Sequence, residues 1–452
     1  MMPYNHYKHV KLQWLTQIPE HWETKRVAIL FDERKTHNKN YEIKTAFKFK
    51  FGDIVEKKQL GTEEELKETY EKYTLIDKDD IVINGLNLNY DFLTQRVGLV
   101  NRKGIITSAY ISMTPRKSVN PKYACYTFKS MDNMKMLNGF GTGIRLTLSF
   151  SELKKQYLPV PPIEEQNQIV KFLDYKISKI NKFIKDKKRE IELLKETKQA
   201  EINHAVTKGI NPDALMKHTG IEKLGKIPEH WEVRRLKYAV SFNPSIEMEI
   251  QDETPVSFMP MECLRNASIE KRESSFKLVK GYVPFKNDDV VMAKVTPCFE
   301  NGNIAVAEDL INGVGFGTSE IFVFRCKEIL LNTYLLYFLQ TGYFKNKGIA
   351  SMTGTGGLKR VSPKVVQNIP FPLPHINEQS TIVKSLNNKC NTIEKLIGSI
   401  QNEIDKIQEY KTSLISEVVT GKVDVRDVKV SEDFESVTME EAEAETEEVI
   451  EE

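Results

Sequence analysis

The chain has 452 residues, 40% hydrophobic and 28% charged, with 65 Lys and Arg against 63 Asp and Glu. That length exceeds one ordinary core and predicts two or three domains, and the composition suits a soluble globular protein and not a disordered or membrane one. No eighteen-residue apolar run is present and the N-terminal MMPYNHYKHVKLQW lacks a signal-peptide core, so neither a membrane span nor a leader is expected.

From the N-terminus, IPEHWE at 18–23 is followed by Lys25 and Arg26. Short apolar runs bounded by turn residues come next, such as DIVING at 80–85. They predict a mixed α+β domain of short strands over residues 1–158. Thr107-Ser108 and the Gly141-Thr142-Gly143 loop lie in its second half, and Pro159, Pro161 and Pro162 make a hinge from which a helix starts. One heptad position of that helix holds Val170, Ile177, Ile184, Ile191, Lys198 and Ala205; its partner holds Leu173, Ile180, Lys187, Leu194 and Glu201. The 3.5-residue spacing predicts a coiled-coil seam roughly 50 Å long, ending at Thr207-Lys208-Gly209. Hinge and helix together occupy 159–211.

The chain is then written a second time. IPEHWE returns at 227–232, an offset of 209, with Arg234 and Arg235 behind it. Asp289-Val290-Val291 answers Asp80-Ile81-Val82, Thr318-Ser319 answers Thr107-Ser108, and Gly354-Thr355-Gly356 answers Gly141-Thr142-Gly143. Residues 212–369 are thus a second domain of the same kind, with EIFVF at 320–324 as one of its strands. Pro370, Pro372 and Pro374 open a second hinge and helix over 370–425. Its seam holds Val383, Cys390, Ile397, Ile404, Lys411 and Val418 against Leu386, Ile393, Ile400, Ile407 and Leu414, each 213 beyond its counterpart. Only Gly398 interrupts the pattern before Thr420-Gly421-Lys422 ends it. This is a tandem duplication. A pseudo-two-fold axis would pair the helices antiparallel and carry a similar head to each end.

Residues 431–452 carry eleven Asp or Glu and no Lys or Arg. An overall +2 against −11 in this segment leaves +13 on the rest, a charge suited to a polyanion. The acidic tail, taken from 426, is expected to be disordered and either shields the basic body or solubilises it. The cysteines Cys125, Cys263, Cys298, Cys326 and Cys390 form no CxxC pair and are read as reduced thiols of a cytoplasmic protein.

Two similar but unequal heads on a spacer suit a duplex with two different half-sites about one helical turn apart. The chain resembles the specificity subunit of type I restriction–modification systems over residues 1–425. The residues that carry the resemblance are the doubled IPEHWE, the Asp-Asp-Ile/Val-Val strand, the Gly-Thr-Gly loop, the proline hinge and the helix opening. That opening is Glu165, Gln166, Ile169, Val170 in one half and Glu378, Gln379, Ile382, Val383 in the other. The resemblance implies two target-recognition domains, each reading half of a split site in double-stranded DNA. It also implies two methyltransferase subunits as partners, with restriction (translocase–nuclease) subunits joined through them. S-adenosylmethionine, ATP and Mg2+ are then expected on those partners, with no cofactor on this chain. The acidic tail is not part of the family pattern.

No catalytic motif stands out. Asn368-Ile369-Pro370-Phe371 lacks the first proline of an adenine methyltransferase motif, and GTGGLKR at 354–360 misses phosphate-loop spacing. His21 and His230 sit beside Trp22 and Trp231, where packing or capping is the expected role. For DNA contact the first candidates are Arg145, Lys359 and Arg360 on the glycine loops, where the other reading is a solvated turn. Behind them come Asn84, Asn87, Asn89 and Arg96 in the first domain, Lys294 and Thr296 in the second, and Tyr110, which stacks or packs. The lysines of 182–188 and Arg189 read as a solvated helix face or a grip for partners. Two other classes stay open: a stand-alone DNA-binding regulator, and a coiled-coil scaffold whose heads bind peptides.

Overall fold

The structure is a computed structural model that describes residues 2–430 except 51, 59, 89–94, 144–145, 247–248 and 356. The acidic segment from 431 and the candidates Asn89 and Arg145 therefore lie outside the described residues. Two compact units are present, one of residues 2–190 and 400–430, the other of 191–399. Each takes one end of either long helix.

In the first unit, Glu23–Arg26 (β1) follows the buried Trp22. The strands Phe31–Glu33 (β2), Ile81–Ile83 (β3), Val97–Leu99 (β4) and Ile111–Pro115 (β5) make an antiparallel sheet in the order β2-β5-β3-β4. Ile81, Val82 and Ile83 are wholly buried because the sheet is covered on both faces, which suits a β-branched run. One cover is the helix Pro121–Asn133 (α1), begun by proline in its first turn and by the Asn120 side chain accepting from the N–H groups of Lys122 and Tyr123. Ala124, Cys125, Phe128 and Met131 of α1 pack with Ile81, Ile83, Val97 and Met113. The other cover is a smaller layer with the hairpin Phe47–Lys50 and Asp53–Glu56, a strand pair (Thr74–Ile76 with Gly104–Ile106) and the capped helix Glu63–Tyr70. Tyr157–Val160 (β6) returns to pair with β1 and leads into the helix Ile163–Lys208 (α2).

The second unit repeats the plan. Glu232–Arg235 (β7) follows the buried Trp231. Val240–Phe242 (β8), Val290–Ala293 (β9), Ile304–Val306 (β10) and Ile321–Cys326 (β11) form a sheet in the matching order β8-β11-β9-β10. Asn332–Leu339 (α3) covers it, and Pro370–Leu373 (β12) pairs with β7 before the helix Ile376–Val419 (α4). The second layer differs from that of the first unit. It is a four-stranded sheet in which Pro255–Met259 runs parallel to Val314–Gly317, flanked by Arg272–Ser275 and Val283–Lys286.

The doubled sequence motifs have structural work in both units. The proline-rich stretches are short strands, β6 and β12, paired on one side only, where a missing N–H is tolerated. Behind each, a glutamine fixes the helix start. Gln166 donates to the carbonyls of Pro161 (2.9 Å) and Ser118 (3.3 Å) and accepts from the Asn120 N–H (2.8 Å). Gln379 does the same with Pro374 (2.9 Å), Ile329 (2.8 Å) and Leu331 (2.9 Å). The histidines of IPEHWE reach the neighbouring glutamates, His21 to Glu165 at 2.7 Å and His230 to Glu378 at 2.8 Å. Buried Glu165 also accepts from Trp22 Nε1 (3.0 Å) and the Tyr4 hydroxyl (2.6 Å). Burial and this bond to Glu165 push the Tyr4 phenol far above its usual range.

The Asp-Asp pairs set the turn before the middle strand. Asp79 and Asp288 take left-handed φ of 70° and 69°. Asp80 and Asp289 are buried and accept from the N–H groups of Asp77 (2.7 Å) and Lys286 (2.8 Å). An arginine neutralises each, from a different place: Arg34 lies 3.0 Å from Asp80, while Arg325 grips Asp289 at 2.8 and 2.7 Å. Burial raises the Asp80 carboxyl, against hydrogen bonds from Thr114 and Arg34 that lower it.

Within each unit the helix ends run antiparallel. In the first, Lys187 meets Glu403 at 3.3 Å and Asn181 accepts from Lys411 at 2.9 Å. In the second, Lys198 meets Glu394 at 2.5 Å and Glu201 meets Lys389 at 2.6 Å. The expected seam lies at these contacts. Val170, Leu173, Ile180, Ile184, Ile191, Val383, Leu386, Ile400, Ile404 and Leu414 are buried, and Ile177, Leu194, Ile393, Ile397 and Ile407 are half-buried. A tyrosine ties each unit to a helix end: Tyr123 donates to Pro159 and Val419 carbonyls (3.0 and 3.4 Å), Tyr334 to Pro372 and Val206 (both 3.2 Å). Among the described residues no helix is long and apolar enough to cross a membrane, and no His, Cys, Asp and Glu cluster could hold a metal ion.

Candidate nucleic-acid interface

In both units the segment leaving the middle strand meets the glycine loop some sixty residues further on, so candidates far apart in sequence share one end of the sheet. In the first unit Leu148 N–H donates to Gly85 O (2.8 Å) and Leu88 N–H to Leu146 O (3.1 Å). The approach is close enough to demand glycine, since a Cβ on Gly85 would lie 2.3 Å from the Leu148 carbonyl. In the second unit Thr296 N–H donates to Lys359 O (3.0 Å) and Val361 N–H to Lys294 O (2.9 Å). Gly354 has φ +145° and stands against the Leu358 carbonyl, again leaving no room for a side chain.

The candidates differ in what they present. Arg96 is 2% exposed and points inward. Its guanidinium donates to the carbonyls of Asn84 (3.2 Å), Leu86 (2.8 Å) and Asn87 (3.4 Å), so it holds the loop from beneath. Asn84 is half-buried, its side chain accepting from the Leu86 N–H (3.1 Å). Asn87 is exposed at left-handed φ 50°, a conformation asparagine tolerates. Tyr110 stands half-buried, edge-on to Phe49 with ring centres 5.3 Å apart, in a small core of its own.

The loop of the second unit is held by side chains. The Thr296 hydroxyl donates to Gly357 O (2.7 Å) and accepts from Lys359 N–H (2.9 Å). Thr353 and Arg360 exchange backbone hydrogen bonds of 3.1 and 2.8 Å. Lys294 is half-buried with its ammonium 5.4 Å from the Phe322 ring centre, whereas Lys359 is exposed. Arg360 is exposed and bound to Glu320, whose carboxyl its guanidinium holds below the usual range. Glu320 was not legible as part of this end of the unit. Its residue type suits no phosphate contact, and only the pairing of β9 with β11 brings it here.

Each unit thus carries, at one end of its sheet, two loops joined by backbone hydrogen bonds with exposed amide or basic side chains, Asn87 in the first and Lys359 and Arg360 in the second. Such a surface can hydrogen-bond base edges and phosphates. The two units offer the same geometry with different side chains.

A family model described as the type I restriction modification DNA specificity domain matches residues 19–193 and again 228–406. The EcoAI specificity subunit of Escherichia coli, a type I restriction enzyme component, is 31% identical over 231 residues, 49% of this chain and 39% of that protein. With the EcoEI specificity subunit of the same organism the alignment covers 35% of the relative, so this chain spans well under half the length of both. The MjaVIII specificity subunit of Methanocaldococcus jannaschii is 27% identical over 79% of this chain and 82% of its own. A solved structure concerned with complex assembly and conformational transition of the type I R-M system shares the fold. Its TM-score is 0.68 over 90% of this chain and 99% of its own, at 14% identity.

Proposed function

The chain belongs to the type I restriction–modification DNA specificity family, and from that membership we propose that it is the DNA-reading subunit of such a complex, recognising a bipartite, asymmetric duplex site. One observation carries the proposal: the same pair of interlocked loops occurs in both units, on sheets of identical strand order, with different exposed side chains, Asn87 in the first and Lys359 and Arg360 in the second. Duplicated geometry suits a ligand with two similar sites, and divergent loop side chains suit two different half-site sequences.

In this reading the chain performs no chemistry. Its loops select the half-sites, and two methyltransferase subunits bound to it flip and methylate an adenine in each, at an unstacking cost of a few kcal/mol. S-adenosylmethionine sits on those subunits, and ATP and Mg2+ on restriction subunits joined through them.

Binding of the chain, with its methyltransferase partners, to duplex DNA between 50 and 200 mM salt tests the proposal. Phosphate contacts predict an affinity that falls roughly a thousandfold or more over that range if about six phosphates are engaged. Salt-insensitive binding would favour a protein scaffold. Tight site-specific binding by the chain alone, unimproved by the methyltransferase, would favour a stand-alone regulator.

A further inference from the structure

Arg360 is held by one edge with the other left open. Its Nε lies 2.9 and 3.2 Å from the two Glu320 carboxylate oxygens, and Nη2 lies 2.7 Å from Oε1. A guanidinium has two pairs of parallel N–H groups, one along the side (Nε and Nη2) and one at the end (Nη1 and Nη2). Glu320 takes the side pair and leaves the end pair, on a side chain that is 47% exposed.

Both partners are anchored. Arg360 exchanges two backbone hydrogen bonds with Thr353, and its neighbour Lys359 is fixed by Thr296. The Glu320 side chain is 28% exposed, and its backbone carbonyl accepts from the Lys294 N–H at 3.0 Å. An exposed ion pair of this kind adds little to stability. It does remove the rotamer freedom that a long side chain would otherwise lose on binding, so the open fork is presented ready for a ligand with two acceptors. In the major groove, guanine offers that pair, O6 and N7.

We propose that Arg360 reads a guanine in the half-site contacted by the second unit, and that Glu320 is the residue that positions it. The proposal rests on DNA reading by this end of the unit. A phosphate offers two acceptors as well, so the test must separate a base from the backbone.

The full chain, co-expressed with its methyltransferase partners in a host without native methylation, is compared with Arg360→Ala, Arg360→Lys and Glu320→Gln by genome-wide mapping of methyladenine. Exchanging residues 212–369 with those of a relative assigns the second half-site. The wild-type map is expected to require a G·C pair there. Arg360→Ala and Arg360→Lys both lose that requirement at one position, discrimination falling roughly 5- to 150-fold, because lysine keeps the charge and lacks the fork. Glu320→Gln weakens the same position by less, and no other position changes.

Three results overturn the proposal: an unchanged motif in all variants, methylation that falls evenly across sites as loss of a phosphate contact would make it, or a second half-site with no G·C pair. Should Arg360→Ala fail to fold, Arg360→Lys, which retains the stem, carries the comparison. A wild-type complex that writes no split motif defeats the DNA-reading account itself, before the variants are compared.

Discussion

At Arg96 an expected reader of DNA turns out to be a prop. Its residue type and its place after the Asp-Asp strand were legible in the sequence; its direction was not, because orientation depends on which carbonyls the fold leaves unpaired beneath the loop. Removing the guanidinium strands the carbonyls of Asn84, Leu86 and Asn87, so Arg96→Ala is expected to cost about 3 kcal/mol in thermal or denaturant unfolding. The salt dependence of DNA binding by the folded variant should stay unchanged; a slope lowered by about one would instead mark a phosphate contact. Lys411 makes a second residue-scale case. Its pKa is pushed down to about 8, chiefly by burial and also by Lys129, while Asp53 acts in the opposite sense. Its bonded partner is neutral Asn181, where the repeat-equivalent Lys198 has Glu394. A lowered lysine pKa means that the unfolded chain binds more protons from about pH 8 to 10.5, so this penalty is full at pH 7 and fades across that interval. Lys411→Met is therefore expected to raise stability at pH 7 by roughly 2–3 kcal/mol, with the advantage shrinking as the pH rises to 10. An advantage independent of pH would show that the charge is not its source.

At the scale of elements, the helices were the most legible part. Heptad spacing follows from helix geometry alone, and a single sequence suffices to find it. The polar breaks at Lys187, Lys198 and Glu201 were visible too, but their partners Glu403, Glu394 and Lys389 come only from the antiparallel register. The Glu-Gln opening was legible as a repeat and not as a device. Gln166 and Gln379 each join three backbone groups of the preceding segments to the helix start. Gln166→Ala and Gln379→Ala are each expected to cost about 1–3 kcal/mol and to loosen the first helical turn. Hydrogen exchange should show this as lost protection at 118–120 or 329–331, and unaltered protection there would contradict the anchoring role. The second layers were not legible. The parallel pairing of Pro255–Met259 with Val314–Gly317 spans almost sixty residues and has no local signature. This is where the two units diverge in fold.

For the whole molecule, duplication was the decisive signal in the sequence, and the repeated sheet order shows how literally it is carried into structure. Charge was legible as a total, +13 outside the acidic segment, but not its division. Residues 1–190 with 400–430 carry +10 and residues 191–399 carry +3, so in sequence the −11 of residues 431–452 follows directly on the more basic of the two. Changing those eleven carboxylates to amides is expected to raise affinity for non-target duplex several-fold at 50–100 mM salt and to steepen its salt dependence. Unchanged affinity would leave that segment a solubilising role. Base preference depends on loop geometry and on the shape of the duplex, neither of which has a local sequence signature.

The central claim is that two similar units read two different half-sites. A genome-wide methyladenine map, with the chain and the methyltransferase subunits proposed as its partners expressed in a methylation-free host, tests it most directly. The account predicts one split motif with a methylated adenine in each half and an unread gap between them. An unsplit or palindromic motif, or no new motif from soluble, assembled partners, would contradict it.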